Sequence, residues 1–199
     1  MPAPEARLPL LRSSVERSPV VKREDYSYVV TPITDGVPRV DPLMLAEITD
    51  GIMAVADLDC DLILGPEAMG IPVAVSLSLR TGIPYAVVRK RRYGLPGEVE
   101  LEQVTGYSRC TMYLNGVGSG DRVVIVDDIV STGGTLRCVV STLRRVGVRI
   151  VDVVAVLEKG GARPALEREL GVRIKTLLRV EVRNGRAVVS EPLPADENG

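Results

Sequence analysis

A single run, Val123 to Thr135, constrains the fold of this chain more than any other feature. It reads Val-Val-Ile-Val-Asp-Asp-Ile-Val-Ser-Thr-Gly-Gly-Thr. Four consecutive apolar residues, all β-branched, predict a fully buried strand of the kind found in parallel sheets. The run ends in a loop of small hydroxyl and glycine residues, and a helical pattern extends from about Gly134 to Val146. This order predicts an α/β fold, in which ligands bind beyond the carboxyl ends of the strands.

The acid pair and the loop that follow this strand suit two different ligand groups. Glycines let backbone N–H groups close on an anion, and the N-terminus of the next helix adds partial positive charge. The carboxylates of Asp127 and Asp128 cannot bind the same anion, but they suit vicinal hydroxyls or the waters around a divalent cation. A capped turn needs only one acceptor, and this loop lacks the lysine of a P-loop. A phosphate next to a diol indicates a ribose 5-phosphate.

This run resembles the phosphoribosyl-pyrophosphate (PRPP) signature of type I phosphoribosyltransferases. The resemblance implies that Asp127 and Asp128 are the catalytic residues and hold the ribose hydroxyls. It implies a 5-phosphate site formed by Ser131, Thr132, Gly133, Gly134 and Thr135. It also implies Mg²⁺, held by PRPP and water, with the two acids as outer-shell partners and no direct protein ligand.

The rest of the chain alternates predicted strands and helices without a repeat, which favours a parallel sheet. Asp41 and Pro42 predict a helix start, and Asn184-Gly185 predicts a C-terminal hairpin with a type I′ turn. The family resemblance implies one domain, residues 1–199, with a mostly parallel central sheet flanked by helices. Its expected parts are an N-terminal arm (1–25), a small hood over the base (26–41), a mobile lid loop (90–108) and the C-terminal hairpin.

Two further segments resemble pyrophosphate-binding parts of the family. The first is the strand–helix turn formed by Glu67, Ala68, Met69 and Gly70, whose Glu-Ala-x-Gly-Ile pattern is similar to xanthine phosphoribosyltransferases. Adenine phosphoribosyltransferases usually carry arginine where Met69 stands. The second is Arg89-Lys90, which precedes Gly-Leu-Pro-Gly at 94–97 and resembles the closing loop of the adenine-type enzymes. A departing pyrophosphate requires such charge-assisted contacts.

The expected base-binding residues are Lys159 and Tyr28. In 6-oxopurine and xanthine phosphoribosyltransferases, a lysine at the place of Lys159 donates to the 6-oxo group, whereas adenine enzymes have none there. Tyr28 belongs to a stretch rich in tyrosine and proline that corresponds to the hood. Packing of an N-terminal arm is the alternative role for this tyrosine.

Composition excludes several other classes of protein. The chain has no histidine, which excludes His-containing catalytic triads and most transition-metal sites. A net charge of −1 gives no sign of a nucleic-acid or anionic-membrane partner. No apolar run approaches the ~18 residues of a spanning helix, and three scattered cysteines fit a reducing compartment. We therefore expect a cytoplasmic protein that binds neither nucleic acid nor membrane.

The resemblance covers roughly residues 20–182 and is greatest to archaeal hypoxanthine/guanine phosphoribosyltransferases, of the adenine/xanthine-like branch. It implies Mg²⁺-dependent transfer of 5-phosphoribose from PRPP to hypoxanthine or guanine, which gives IMP or GMP and pyrophosphate, by a homodimer. An adenine enzyme is one alternative. A PRPP- or purine-sensing regulator with the same fold is another, although it would need an added nucleic-acid-binding element. The choice among hypoxanthine, guanine, xanthine and adenine, and the group that handles the purine proton, stay open.

Overall fold

The computed structural model describes residues 8–23, 26–104 and 109–192. Three sheets and their flanking helices make up this part of the chain. In chain order the elements are α1 (Pro9–Glu16), β1 (Val20–Arg23), β2 (Tyr26–Val29), α2 (Pro32–Asp35), α3 (Pro42–Val55), β3 (Leu62–Pro66), α4 (Gly70–Thr81), β4 (Tyr85–Val88), β5 (Val99–Val104), β6 (Arg109–Leu114), β7 (Arg122–Val130), α5 (Gly134–Arg145), β8 (Arg149–Lys159), α6 (Arg163–Leu170), β9 (Lys175–Arg183) and β10 (Arg186–Ser190).

A six-stranded sheet in the order β10-β9-β8-β7-β3-β4 forms the centre. All of its neighbouring strands are parallel except β9 and β10. The predicted α/β class with a mostly parallel sheet is therefore confirmed. The predicted C-terminal hairpin is also present, because Asn184 and Gly185 adopt φ values of 51° and 73° between β9 and β10, as a type I′ turn requires.

Each face of the central sheet carries its own hydrophobic core. Helices α1, α3 and α4 cover one face, and α5, α6 and the β5–β6 hairpin cover the other. The start of α3 follows the predicted capping chemistry, since the Asp41 carboxylate accepts hydrogen bonds from the backbone N–H groups of Leu43 and Met44. Among the residues that the structure describes, no helix is long and apolar enough to cross a lipid bilayer.

The amino-terminal region is more ordered than an arm. Helix α1 places Leu11 and Val15 in the core, and β1 pairs antiparallel with β2. The partner strand of the predicted hood therefore begins at Val20, inside the segment assigned to the arm. Residues 1–7 and 24–25 lie outside the described part of the chain.

The segment 90–108 contains more regular structure than its sequence indicates. Residues 99–104 form β5, which pairs along its length with β6, so this part of the expected lid loop is a strand and not a loop. The alternation of Val99 and Leu101 with Glu100 is typical of a half-buried strand, and Leu101 is fully buried. Residues 105–108 lie outside the described residues, and the proposed closing movement stays a prediction.

Candidate functional site

The sequence-predicted site segments follow four neighbouring strands of the central sheet. Strands β4, β3, β7 and β8 are adjacent in that order, and all are parallel. Their carboxyl ends lead into the Arg89-Lys90 segment, the 67–70 loop, the 131–135 loop and Lys159. The fold therefore brings segments that are far apart in sequence to one edge of the sheet, where α/β proteins bind ligands.

The acid pair lies within β7 and not after it. Strand pairing continues past the hydrophobic run, with Asp127 opposite Ala155 and Val130 opposite Glu158. In the same way, β8 extends past its last buried apolar residue, Leu157, to Lys159. The two strands extend because each supplies the other's backbone hydrogen bonds, which the side-chain pattern does not report. The acids and Lys159 are consequently fixed on a rigid sheet and not on a loop.

Burial sets the protonation of the acid pair. Asp127 is 8% exposed, and its Oδ1 accepts a hydrogen bond from the Asp128 backbone N–H at 3.0 Å. Burial, and then the charge of Asp128, raise the pKa of Asp127 well above its ordinary range. Burial also raises the pKa of Asp128 to about 6, and the nearby charge of Asp35 acts in the same direction. Two adjacent carboxyls under these conditions favour a cationic ligand.

The 131–135 loop surrounds a cavity of about 270 Å³ between Asp127 and the N-terminus of α5. Gly133 has φ +80°, and a Cβ atom there would lie 2.4 Å from a methyl carbon of Leu166 in α6. Arg137 of α5 donates to the carbonyl oxygen of Thr132 at 2.6 Å and forms an ion pair with Glu169 of α6. Helix α6 therefore holds the loop in position, and sequence analysis gave it no such role.

The 67–70 loop lies against the acid pair and the hood. A Cβ atom on Gly70 would lie 2.9 Å from Asp127 Oδ1, so the main chain approaches the acid as closely as glycine permits. The side chain of Met69 approaches Gly36 of the hood. Glu67 accepts a hydrogen bond from the backbone N–H of Lys90 at 3.2 Å, and the peptide bond between Glu67 and Ala68 is cis.

Arg89 and Lys90 lead from β4 into the predicted lid. Main-chain hydrogen bonds tie Arg89 to Tyr113 of β6, and Arg89 is half-buried whereas Lys90 is exposed.

Further along, the Glu98 carboxylate accepts hydrogen bonds from two backbone N–H groups of the 93–94 turn and from the Asn115 side chain. These contacts lower the pKa of Glu98, the Asn115 hydrogen bond having the largest effect.

A second cavity, which we call the hood pocket, lies between the hood and the ends of β7, β8 and β9, and its volume is about 110 Å³. It shares Ile129 and Ser131 with the cavity of the 131–135 loop. Four apolar side chains and six polar residues form its lining: Val29, Ile129, Leu157 and Val180, with Tyr28, Thr31, Thr34, Asp128, Ser131 and Lys159. The structure thus places both predicted base-binding residues in one pocket.

Lys159 is held on the hood side of this pocket. Its Nζ atom lies 5.2 Å from the centre of the Tyr28 ring and donates to the carbonyl oxygen of Ser27 at 3.3 Å. The preceding residue, Glu158, is buried and forms an ion pair with the equally buried Arg163 at 2.9 Å. This ion pair fixes the turn between β8 and α6, and so the backbone that carries Lys159.

Sequence analysis missed a set of polar contacts inside the hood. The Asp35 carboxylate accepts hydrogen bonds from the Tyr28 hydroxyl at 2.7 Å, the Thr34 hydroxyl at 2.6 Å and the Thr31 backbone N–H at 2.9 Å. Thr31 caps α2, and Pro32 follows at the first helical position. That Thr-Pro order was a usable helix-start signal, but the contact with Tyr28 depends on the β2–α2 turn.

The donor chemistry at the acid pair fits Mg²⁺ that is bound largely through a ligand. Within the described residues, no group of three or more His, Cys, Asp or Glu side chains is arranged to hold a metal ion. Mg²⁺ at phosphate-binding sites commonly uses one or two carboxylates together with phosphate oxygens and water. Asp127 and Asp128 provide two carboxylates, and their mutual repulsion would be relieved by a nearby cation.

Comparison with known proteins agrees with this geometry. Residues 44–184 match the phosphoribosyl transferase domain family. The hypoxanthine/guanine phosphoribosyltransferase of Methanosalsum zhilinae is 54% identical over 181 residues, which are 91% of this chain and 95% of that protein. The protein of the same name from Methanothermus fervidus is 49% identical over 180 residues, which are 90% of this chain and 95% of that protein.

Solved structures show the same fold at lower identity. The adenine phosphoribosyltransferase of Rhodothermus marinus superposes with a TM-score of 0.68 at 22% identity and covers 86% of this chain and 97% of its own. The enzyme of that name from Thermoanaerobacter pseudethanolicus gives a TM-score of 0.67 at 23% identity, over 85% of this chain and 98% of its own. At these identities the likeness shows the fold alone.

Proposed function

Because this chain belongs to the phosphoribosyl transferase family, we propose that it acts in purine salvage and transfers 5-phosphoribose from PRPP to hypoxanthine or guanine. The products are IMP or GMP and pyrophosphate. The observation that carries this proposal is the contact between two cavities, since the hood pocket and the cavity of the 131–135 loop meet at Ile129 and Ser131. A base in one cavity and a ribose phosphate in the other would place their reacting atoms beside the acid pair.

The acid pair stabilises the transition state. The purine nitrogen N9 forms a bond to C1′ of the ribose as the bond from C1′ to pyrophosphate breaks, and positive charge builds on the ribose ring. Asp127 and Asp128 hold the ribose hydroxyls and place negative charge beside that ring. Because Asp127 lies on β7 and accepts a hydrogen bond from the Asp128 backbone N–H, its carboxyl group is held in position before the reaction begins.

The two ends of PRPP bind on either side of the acids. Residues Ser131 to Thr135 hold the 5-phosphate with backbone N–H groups and hydroxyls at the N-terminus of α5. The 67–70 loop, with Arg89 and Lys90, binds pyrophosphate and stabilises its charge as it leaves. When bound, Mg²⁺ neutralises pyrophosphate oxygens; Asp127 and Asp128 would hold it through water, beside the ribose hydroxyls.

Lys159 selects the base. An ammonium group only donates hydrogen bonds, so it pairs with the 6-oxo acceptor of hypoxanthine or guanine. The 6-amino group of adenine would present a donor to a donor in the same place. The Tyr28 ring and the Ser27 carbonyl keep Lys159 on the hood side of the pocket, which supports this role.

The assembly proposed is a homodimer in the cytoplasm, without nucleic-acid or membrane partners. Exposed apolar side chains support self-association, among them Leu43 of α3, Leu79 of α4 and Tyr85 of the edge strand β4. The near-neutral net charge of −1 supports the absence of a polyanionic partner. Light scattering coupled to size-exclusion chromatography gives the subunit number, and a gel-shift with genomic DNA fragments tests the regulator alternative.

One assay tests the catalytic proposal and its adenine alternative together. Pyrophosphate release is measured with PRPP and Mg²⁺ across adenine, hypoxanthine, guanine, xanthine and uracil. We expect turnover with hypoxanthine and guanine and at least a hundredfold lower kcat/KM with adenine. Preference for adenine would replace the proposed substrate, and a lack of turnover with every base would refute the enzymatic function.

A further inference from the structure

Three hydroxyl groups that line the hood pocket form a chain of hydrogen bonds that ends at one carboxylate, that of Asp35. Thr34 donates its hydroxyl hydrogen to Asp35 Oδ2 at 2.6 Å, and Tyr28 donates its own to Asp35 Oδ1 at 2.7 Å. The Thr31 and Thr34 hydroxyls are 2.8 Å apart. Because the only hydroxyl hydrogen of Thr34 already points to Asp35, Thr31 is the donor in that contact.

These three hydroxyls, which we call the hydroxyl cluster, line the pocket that also contains Lys159. Once their hydrogens are used within the hood, the cluster can offer a ligand only oxygen lone pairs. Lys159 has the opposite character, since an ammonium group has only donors. The Tyr28 side chain joins the two regions, because its ring lies 5.2 Å from Lys159 Nζ and its hydroxyl contacts Asp35.

We propose that Asp35 is a positioning residue that keeps the hydroxyl cluster in an acceptor-only state and so makes the enzyme reject xanthine. The inference rests on the proposed function and concerns which of the 6-oxopurine bases the enzyme accepts. With O6 of the base at Lys159, the group at position 2 of the base faces the hydroxyl cluster, which lines another part of the same small pocket. Guanine presents an amino donor there and hypoxanthine a C–H group, and an acceptor surface accommodates both. Xanthine presents a carbonyl acceptor, which the cluster repels.

The first test changes the charge and hydrogen-bonding capacity of Asp35. In Asp35→Asn, the oxygen of the side-chain amide can accept from the Thr31 backbone, but its NH₂ group must face a hydroxyl of the cluster. That hydroxyl becomes an acceptor of the amide, and its own hydrogen is released toward the ligand. Asp50→Asn is the matched control, because Asp50 is an exposed carboxylate paired with Arg80 on α4.

Steady-state kcat and KM are measured for guanine, hypoxanthine and xanthine with saturating PRPP and Mg²⁺. We expect the wild-type protein to favour guanine over xanthine by about 10³ or more in kcat/KM. Asp35→Asn should reduce that ratio by about tenfold or more, mainly through a lower KM for xanthine. General damage to the hood would lower kcat/KM for all three bases together and leave the ratio unchanged. The Asp50→Asn ratio should equal that of the wild type.

A second pair of variants leaves the Asp35 charge in place. Thr34→Val removes the acceptor of the Thr31 hydroxyl, whose hydrogen then becomes available to a ligand, and it should also improve xanthine relative to guanine. Thr34→Ser keeps the hydroxyl and should retain the wild-type ratio. This pair decides the question if Asp35→Asn does not fold, which a thermal melt would show.

The outcomes separate this inference from the proposed function. Turnover of hypoxanthine and guanine with equally good turnover of xanthine by the wild type overturns the role of Asp35 and leaves the proposed function standing. An unchanged guanine-to-xanthine ratio in both Asp35→Asn and Thr34→Val also overturns it. A lack of turnover with every purine overturns the proposed function itself.

Discussion

Replacing one acid of the proposed catalytic pair should raise stability and abolish most of the activity at the same time. Asp128→Asn is the informative change, because the burial that raises the pKa of Asp128 also makes its charge costly to the folded protein. The folded-state pKa is about 6, against 3.8 for the unfolded carboxyl. Between these values the folded state binds more protons, so the free energy of unfolding falls as pH rises.

The magnitude follows from that difference. A shift of this size corresponds to at most about 3 kcal/mol at pH 7. The asparagine amide accepts fewer hydrogen bonds than the carboxylate that it replaces. We therefore expect the free energy of unfolding to rise by about 1–3 kcal/mol, or Tm by roughly 2–10 °C for a chain of this length. Below pH 4 both proteins are uncharged at this position, and the difference in stability should largely disappear.

One measurement without ligand and one with substrates check this prediction. Thermal melts of both proteins at pH 4, 5, 6 and 7.5 follow the stability difference, and kcat/KM for hypoxanthine should fall on the order of 10² or more. A variant that is less stable at pH 7.5 would show that Asp128 contributes to folding. Near wild-type turnover in Asp128→Asn would refute the assignment of the site.

Three further perturbations test other parts of the site. Lys159→Ala should lower kcat/KM for hypoxanthine by about 10²–10³ while it narrows the gap to adenine, and an unchanged ratio of the two bases would contradict its role in base selection. Trypsin should cut the free protein at Arg91 and Arg92 and cut more slowly with PRPP, Mg²⁺ and an inert base analogue, because a closing lid covers these bonds; equal rates would count against closure. Gly133→Ala should lower the free energy of unfolding by roughly 2–6 kcal/mol and raise KM for PRPP, because its φ is +80° and a Cβ would lie 2.4 Å from a methyl carbon of Leu166 in α6. Gly134→Ala is its control, since a Cβ there meets nothing within 4 Å and the φ of Gly134 is not positive. If Gly134→Ala loses as much stability as Gly133→Ala, the contact of Gly133 with α6 is not the cause.

Features that depend on neighbouring residues could be predicted from the sequence. Three such features are present as predicted: the β-branched strand before Asp127, the Asp41 cap and the Asn184-Gly185 turn. Local steric limits and hydrogen bonds determine each of them. The order of strand, acid pair, glycine loop and helix also predicted that the acid pair and the 131–135 loop lie at the carboxyl edge of the sheet, where the structure places them. Lys159 was selected through resemblance, and the structure places it in the hood pocket.

Tertiary structure alone decided the features that depend on distant partners. Lys159 contacts Ser27 across 132 positions of sequence, and Leu166 closes on Gly133 from a separate helix. Strands β7 and β8 extend beyond their hydrophobic runs because each satisfies the other's backbone groups, and the Tyr28–Asp35 contact requires the β2–α2 turn. The local sequence specifies an element and its ends when the contacts that decide them lie within a few residues. Burial, pKa and the direction of each hydroxyl hydrogen arise only when the chain brings remote groups together, because these properties depend on every neighbour in space.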